Sequence, residues 1–335
     1  MNKISVGITG IGSYVPDNVM TNDDLSKIVD TSHEWIVSRT GIEERRIADK
    51  DQASSDLATM AAWKALEDAA MGPEDLDLII VATATPDYIF PSTAAMVQKN
   101  IGAVKAAAFD MSVGCSGFVY GLVTGANFIS TGMYKKVMVI GAEILSKVVD
   151  WEDRNTCVLF GDGAGACILE PCDESFGILS SELGSDGVKG DVLIIPGGGS
   201  KNPATEETVK NKLHAIRMDG KEVFKFAVRV MEQSSLRVLE SAGLAKEDLD
   251  FMISHQANSR IIDAAMKKLE LNKDKTHVNL TKYGNTSAAS VPVALDEAVK
   301  GELIKKGDNL LLIAFGAGLS WASVVLKWNK EVRNV

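Results

Sequence analysis

The feature that most constrains this chain is a repeat of itself. Glu74-Asp75-Leu76-Asp77-Leu78-Ile79-Ile80 returns as Glu247-Asp248-Leu249-Asp250-Phe251-Met252-Ile253, an offset of 173 residues from 74 to 247. Each copy follows an amphipathic stretch of helical spacing, residues 55–71 and 223–244, and each runs into an apolar strand signal. Further on, Gly114-Cys115 aligns with Gly284-Asn285, an offset of 170 from 114 to 284. A small-residue helix, a short turn and a buried strand follow in both copies, the strands at residues 136–141 and 309–314. The pattern predicts an α/β fold of two duplicated halves, residues 1–173 and 174–335, with the boundary near 171–176.

Duplication has a chemical consequence. Two related units packed on one another bring equivalent helix starts toward a shared centre, and the alignment puts Cys115 and Asn285 at those starts. His255 follows the second copy's strand, where open α/β sheets gather active groups. His33 opens a polar helix start, His214 lies in a charged stretch and His277 precedes a short strand signal. Only His255 follows a buried strand and precedes a polar Gln256-Ala257-Asn258 run. A cysteine, a histidine and an asparagine are thus nominated from three separate segments. The competing reading is that βαβ units recur by construction and share no site.

Cys115 lies between glycines in Val113-Gly114-Cys115-Ser116-Gly117, before a run spaced like a buried helix. At a helix start, backbone N–H groups and the positive dipole end favour the thiolate, so a lowered thiol pKa is expected. The alternative is one more small core residue. The other cysteines, 157, 167 and 172, make no CxxC or Cys/His metal spacing. Without a basic–apolar leader or an apolar run of membrane length, a reducing cytoplasm is expected and a membrane is not. A net charge of −10 argues against nucleic acid as main partner. Three glycine-rich stretches read as structural. Gly7 to Gly12 has the wrong dinucleotide spacing, Phe160 to Ala166 reads as a tight strand crossing, and Pro196 to Ser200 lacks a phosphate-loop ending.

Several ordered motifs together resemble one family. They are Asp30-Thr31-Ser32-His33-Glu34-Trp35-Ile36 with Arg39-Thr40-Gly41-Ile42, Val113-Gly114-Cys115-Ser116-Gly117, and Phe160-Gly161-Asp162-Gly163-Ala164-Gly165. His255-Gln256-Ala257-Asn258, Tyr283-Gly284-Asn285-Thr286-Ser287 and Ala314-Phe315-Gly316-Ala317-Gly318 before Trp321 complete the set. Nearly end to end, the chain resembles β-ketoacyl-[acyl-carrier-protein] synthase III, a thiolase-fold condensing enzyme. The resemblance implies five layers, α-β-α-β-α, and a homodimer. Asn285 departs from the Cys-His-His set of elongating synthases. Phe315-Gly316-Ala317-Gly318 lacks the second cysteine of degradative thiolases.

The resemblance also implies chemistry. Cys115 would take a short acyl group from acyl-CoA, with the backbone N–H groups of Cys115 and Ala317 as oxyanion donors. Malonyl-[acyl-carrier-protein] would then lose CO₂, with His255 and Asn285 donating to the enolate oxygen. No metal or cofactor is expected, acyl-CoA being a substrate. Trp35, Arg39 and Arg154 match positions holding the adenine and phosphates of CoA, although Arg154 could instead pair with Glu152 or Asp153. Asn258, Thr31, Gly220, Lys221 and Phe224 would line the pantetheine tunnel. Phe90, expected to reach across the dimer, Leu145 and Phe160 would floor the acyl pocket. Arg260, Lys267, Lys268, Lys225 and Gln256 would dock the acidic carrier protein, although such charges are usually a solvated helix face. Residues 201–212 read as a flexible insertion. A relative priming polyketide synthesis or taking longer acyl-CoAs, and a non-catalytic carrier-binding module, are the other readings.

Overall fold

Nine of the strands form the two large sheets of the computed structural model, which describes residues 4–331. The first sheet runs in the order Val6–Tyr14, Asp162–Pro171, Val137–Ile144, Leu78–Ala82, Ala107–Met111. The second runs Phe251–Ser254, Asn309–Gly316, Ser320–Lys327, Gly177–Ser185. Leu78–Ala82 is parallel to both its neighbours, and Phe251–Ser254 is parallel to Asn309–Gly316. Val137–Ile144 is buried at every position. Such a strand cannot alternate apolar with polar, because both of its faces are covered.

Helices cover those faces in three layers. Gly117–Ser130 and Ser290–Lys300 lie between the sheets, where Phe118, Leu122, Val291 and Leu295 share one core with Ile80, Val139, Leu310 and Leu312. Ser54–Ala69 and Thr93–Ile101 close the outer face of the first sheet. Gly220–Ser241 and Ser259–Leu269 close that of the second. The order is α-β-α-β-α. Glycine sets how closely the middle layer approaches: a Cβ on Gly141 would lie 2.1 Å from the Ala288 carbonyl oxygen, and one on Gly165 2.7 Å from Pro292. The glycine run near Gly165 is therefore a packing surface for a helix, within the strand Asp162–Pro171.

The repeat is corrected in register. The 3₁₀ turn Gly114–Ser116 precedes its helix as Ser287–Ala289 precedes Ser290–Lys300, an offset of 173 from 114 to 287. Gly114 and Ser287 share a left-handed backbone, φ 51° and 48°. Ala288 is thus the counterpart of Cys115, and Asn285 stands three residues ahead of that position. The likeness of Gly-Cys to Gly-Asn misled the alignment. Residues 201–212 are corrected too: they contain a helix, Glu206–Lys210, capped by Thr205 and Thr208. Lys212 ties the segment down through Asp150 at 2.9 Å and Glu152 at 2.5 Å.

Candidate active site

Cys115 sits where two turns cross. The chain leaves the strand Ala107–Met111, makes its 3₁₀ turn and enters the helix Gly117–Ser130. Gly316, ending a strand of the second sheet, packs so close that a Cβ there would lie 2.6 Å from the Cys115 amide nitrogen. Reciprocally, a Cβ on Gly114 would lie 3.0 Å from the Ala317 nitrogen. The two amides nominated as oxyanion donors are therefore brought side by side by two glycines. Ser320 fastens the crossing by donating toward the carbonyls of Val113 (3.1 Å) and Ala317 (2.9 Å), and it meets Ser116 Oγ at 3.1 Å.

His255 follows the strand Phe251–Ser254, and its amide donates to the Ile313 carbonyl at 2.8 Å. Its Nδ1 lies 2.6 Å from Ser290 Oγ, and its ring meets Phe315 edge-on with centroids 5.1 Å apart. With Nδ1 engaged, Nε2 is the ring nitrogen left for a ligand. Asn285 is fixed by its backbone, bonded to Leu159 and Gly161, and by its side chain, whose Oδ1 accepts from the Ser287 amide at 2.8 Å. An oxygen so engaged leaves the amide N–H₂ as the free end. Cys115, His255 and Asn285 line one cavity of about 1060 Å³, with Phe160, Phe315 and Gly316.

Burial governs the charges here. The Cys115 thiol is pushed up to about 12 by desolvation, against a hydrogen bond from Ser287 that lowers it. This corrects the expected lowering: a helix start favours the thiolate, but burial costs the anion more. Desolvation pushes His255 down to about 3, so it is neutral near pH 7. The resting pair is thiol and neutral imidazole.

Comparison with known proteins shows the family. Two models of 3-Oxoacyl-[acyl-carrier-protein (ACP)] synthase III, one for its C-terminal part, match residues 109–187 and 239–328. A β-ketoacyl-[acyl-carrier-protein] synthase III from Caldanaerobacter subterraneus subsp. tengcongensis is 62% identical over 98% of this chain and 99% of its own length. The chain belongs to the β-ketoacyl-[acyl-carrier-protein] synthase III family. It is a condensing acyltransferase of thiolase fold. The crystal structure of the family member from Aquifex aeolicus superposes with a TM-score of 0.89 at 49% identity, covering 96% of this chain and 100% of that one. A priming β-ketosynthase of the R1128 polyketide pathway gives 0.90 at 34% identity, covering 98% and 97%.

The other residues expected of a synthase III divide. Trp35, Arg39, Arg154, Gly220, Lys221, Phe224, Asn258, Lys225 and Arg260 line the cavity with Phe160. The Arg39 and Arg154 guanidiniums lie 4.6 and 5.3 Å from the Trp35 ring centroid. Arg154 pairs with Asp30, not with Glu152 or Asp153; Lys212 occupies Glu152. Asn258 caps the helix Ser259–Leu269 by accepting from the Arg260 amide, and donates to the Arg39 carbonyl, keeping one N–H for a ligand.

Thr31 does not line the cavity, and its hydroxyl is buried without a partner. Leu145 is buried beside Phe160, one layer behind the wall. Phe90 is 84% exposed and outside the cavity of its own chain. Gln256 is corrected as a docking residue. It is 1% exposed, and its amide bonds the Ser254 and His277 carbonyls and the Asn279 amide. Lys267 and Lys268 lie in the last turn of their helix, away from the cavity, and Lys268 pairs with Glu232. Arg217, Met218, Asp191 and Leu193 line the cavity and were missed. They sit at or beside two-residue strands, Leu193–Ile194 and Arg217–Met218, too short to leave a periodic signal.

Proposed function

We propose that this protein condenses a short acyl-CoA with malonyl-[acyl-carrier-protein], giving a 3-oxoacyl-[acyl-carrier-protein] that starts fatty-acid synthesis. The observation that carries the reading is the meeting of Cys115, His255 and Asn285 in one cavity beside the crossed amides of Cys115 and Ala317. In the first half-reaction the thiol proton passes to neutral His255 while sulfur attacks the thioester carbon. The tetrahedral oxyanion is held by the two amides. Collapse expels CoA as a thiolate, which takes up the proton. In the second, the malonyl group loses CO₂ and its thioester becomes an enolate. Once CoA has left, the ring proton of His255 moves from Nδ1 to Nε2 by exchange with solvent, Ser290 then donates to Nδ1, and Nε2–H and the Asn285 amide donate to the enolate oxygen. The enolate carbon bonds to the acyl carbon and Cys115 leaves as thiolate, which takes a proton from solvent to restore the resting thiol. The residues supply this chemistry with acyl-CoA as substrate and no cofactor.

Trp35 with Arg39 and Arg154 would hold the nucleotide end of CoA, and Asn258, Lys221 and Phe224 the arm between. Arg260 and Lys225 at the mouth, with Lys267 and Lys268 further along, would receive the acidic carrier. A homodimer is supported by the edge position of Ala107–Met111 and by exposed Tyr88, Ile89, Phe90 and Val104, with Phe90 entering the partner's acyl pocket. Four free thiols support a cytoplasmic setting.

Similarity to a polyketide priming synthase makes a longer or specialised primer the second reading. Single-turnover acylation with acetyl-, isobutyryl- and octanoyl-CoA, read by intact-protein mass and followed by transfer to malonyl-[acyl-carrier-protein], separates them. The fatty-acid reading expects the two short groups on Cys115 and a 3-oxoacyl carrier as product. Octanoyl alone would favour the second reading. No adduct with any of the three would leave only carrier binding.

A further inference from the structure

His255 and Asn285, the two donors assigned to the enolate, are both tied to one helix. Ser290, the first residue of the middle-layer helix Ser290–Lys300, puts its Oγ 2.6 Å from His255 Nδ1. Glu297 follows seven residues later, two turns along the same stripe of that helix. Its carboxylate gathers three side chains of the segment that leads into Asn285. Tyr283 donates its hydroxyl to Oε1 at 2.6 Å, Asn279 donates its amide N–H to Oε2 at 2.8 Å, and His277 Nε2 lies 2.8 Å from the same Oε2. A carboxylate can serve three such partners at once, whereas a glutamine would turn an N–H₂ toward one of them. None of these four residues lines the cavity.

Tyr283 ends the short helix Leu280–Tyr283, and Gly284 then turns the chain sharply, with φ 65° and ψ −157°. Only glycine adopts that backbone readily, and a Cβ there would lie 2.8 Å from the Leu159 carbonyl oxygen. The same carbonyl accepts from the Asn285 amide at 2.8 Å, and the Asn285 carbonyl accepts from Gly161 at 3.1 Å. Asn285 is therefore pinned between the Leu159–Gly161 backbone on one side and the Tyr283 anchor on the other. The Tyr283 ring is held on its face too, where the Arg46 guanidinium lies 5.8 Å from the centroid. Asn279 is buried, and its own amide donates at 3.1 Å to Gln256, the residue directly after His255.

We propose that Glu297 is a positioning residue for Asn285: through Tyr283 and Asn279 it fixes the carboxamide at the separation from His255 at which both donors reach one enolate oxygen. Ser290 holds the imidazole from the start of the helix, and Glu297 holds the asparagine segment from two turns further along. Loss of the Tyr283 hydroxyl releases the asparagine side of this frame. It leaves His255 on Ser290, and Cys115 with its two amides, where they are. Misplacing one donor by about 1 Å can lower a rate on the order of 100-fold. The half-reaction that uses Asn285 is therefore the one that suffers.

The inference rests on the proposed role of Asn285 in decarboxylation, which Asn285→Ala tests by itself. The experiment measures both half-reactions in the full-length protein carrying Tyr283→Phe, a change of one oxygen atom. Acetylation of Cys115 by acetyl-CoA should stay within about 2-fold of wild type, and decarboxylation of malonyl-[acyl-carrier-protein] should fall roughly 10-fold or more. The deciding protein combines Tyr283→Phe with Asn285→Ala. It should decarboxylate at the rate of Asn285→Ala alone, because nothing is left to position. Glu297→Gln, alone and with Asn285→Ala, should repeat both results and keeps the test in hand if Tyr283→Phe does not fold. Equal loss of the two half-reactions in Tyr283→Phe, decarboxylation at the wild-type rate, or a further fall in the combined variant would overturn the inference while leaving Asn285 its role. Asn285→Ala losing both half-reactions alike would remove that role, and the inference with it.

Discussion

At Cys115 two effects act in opposite directions on one proton. The turn and helix start offer backbone N–H groups to the sulfur, and burial charges the anion a larger desolvation penalty. The first effect is readable from the glycines around the cysteine. The second is not, because it depends on strands and turns remote in sequence. His255 carries the same lesson and gives a test. Its folded pKa, near 3, lies below the unfolded value of 6.5. Between those values the unfolded chain binds a proton that the folded protein refuses, so stability falls as pH falls through that window. Between pH 6.5 and about 4, urea denaturation should show wild type losing roughly 3 kcal/mol more than His255→Asn. Equal losses would mean that His255 is solvated.

At the level of elements, the site is a crossing of turns held apart by hydrogen atoms. Gly316→Ala would put a Cβ 2.6 Å from the Cys115 nitrogen and 2.9 Å from its Cβ. Relief by backbone shift should cost about 1–3 kcal/mol of stability and misplace both oxyanion amides. Acylation from acetyl-CoA should then fall on the order of 100-fold with the fold intact by circular dichroism. Near-normal acylation would show that the amides are not the donors.

Much of this was legible beforehand. The recurrence at 173 residues carried the paired strands, and His255 stood out at a strand end. The turn equivalence was not legible, because a left-handed backbone is written as Gly114 in one half and Ser287 in the other. Gln256 looked polar and available, and its amide proved to be spent on three backbone groups. Residues 201–212 looked loose because their stabilising partners, Asp150 and Glu152, are sixty residues away.

For the whole molecule, five layers place the floor of the cavity where the halves meet. The edge strand Ala107–Met111 and the exposed Tyr88-Ile89-Phe90 segment lie on the surface of the first half. Sedimentation equilibrium should give a dimer at micromolar concentration, and Phe90→Ala should weaken branched-primer acylation while leaving Trp35-dependent CoA binding in place. A monomer with full activity would remove the partner's phenylalanine from the acyl pocket.

The most direct trial of the division of labour is to measure both half-reactions in Asn285→Ala. On the proposed mechanism the carboxamide serves the enolate and not the thiol, so acetylation of Cys115 should proceed within a few-fold of wild type. Decarboxylation of malonyl-[acyl-carrier-protein] should drop by roughly 100- to 1,000-fold. Equal loss of the two, or decarboxylation at the wild-type rate, would contradict the account.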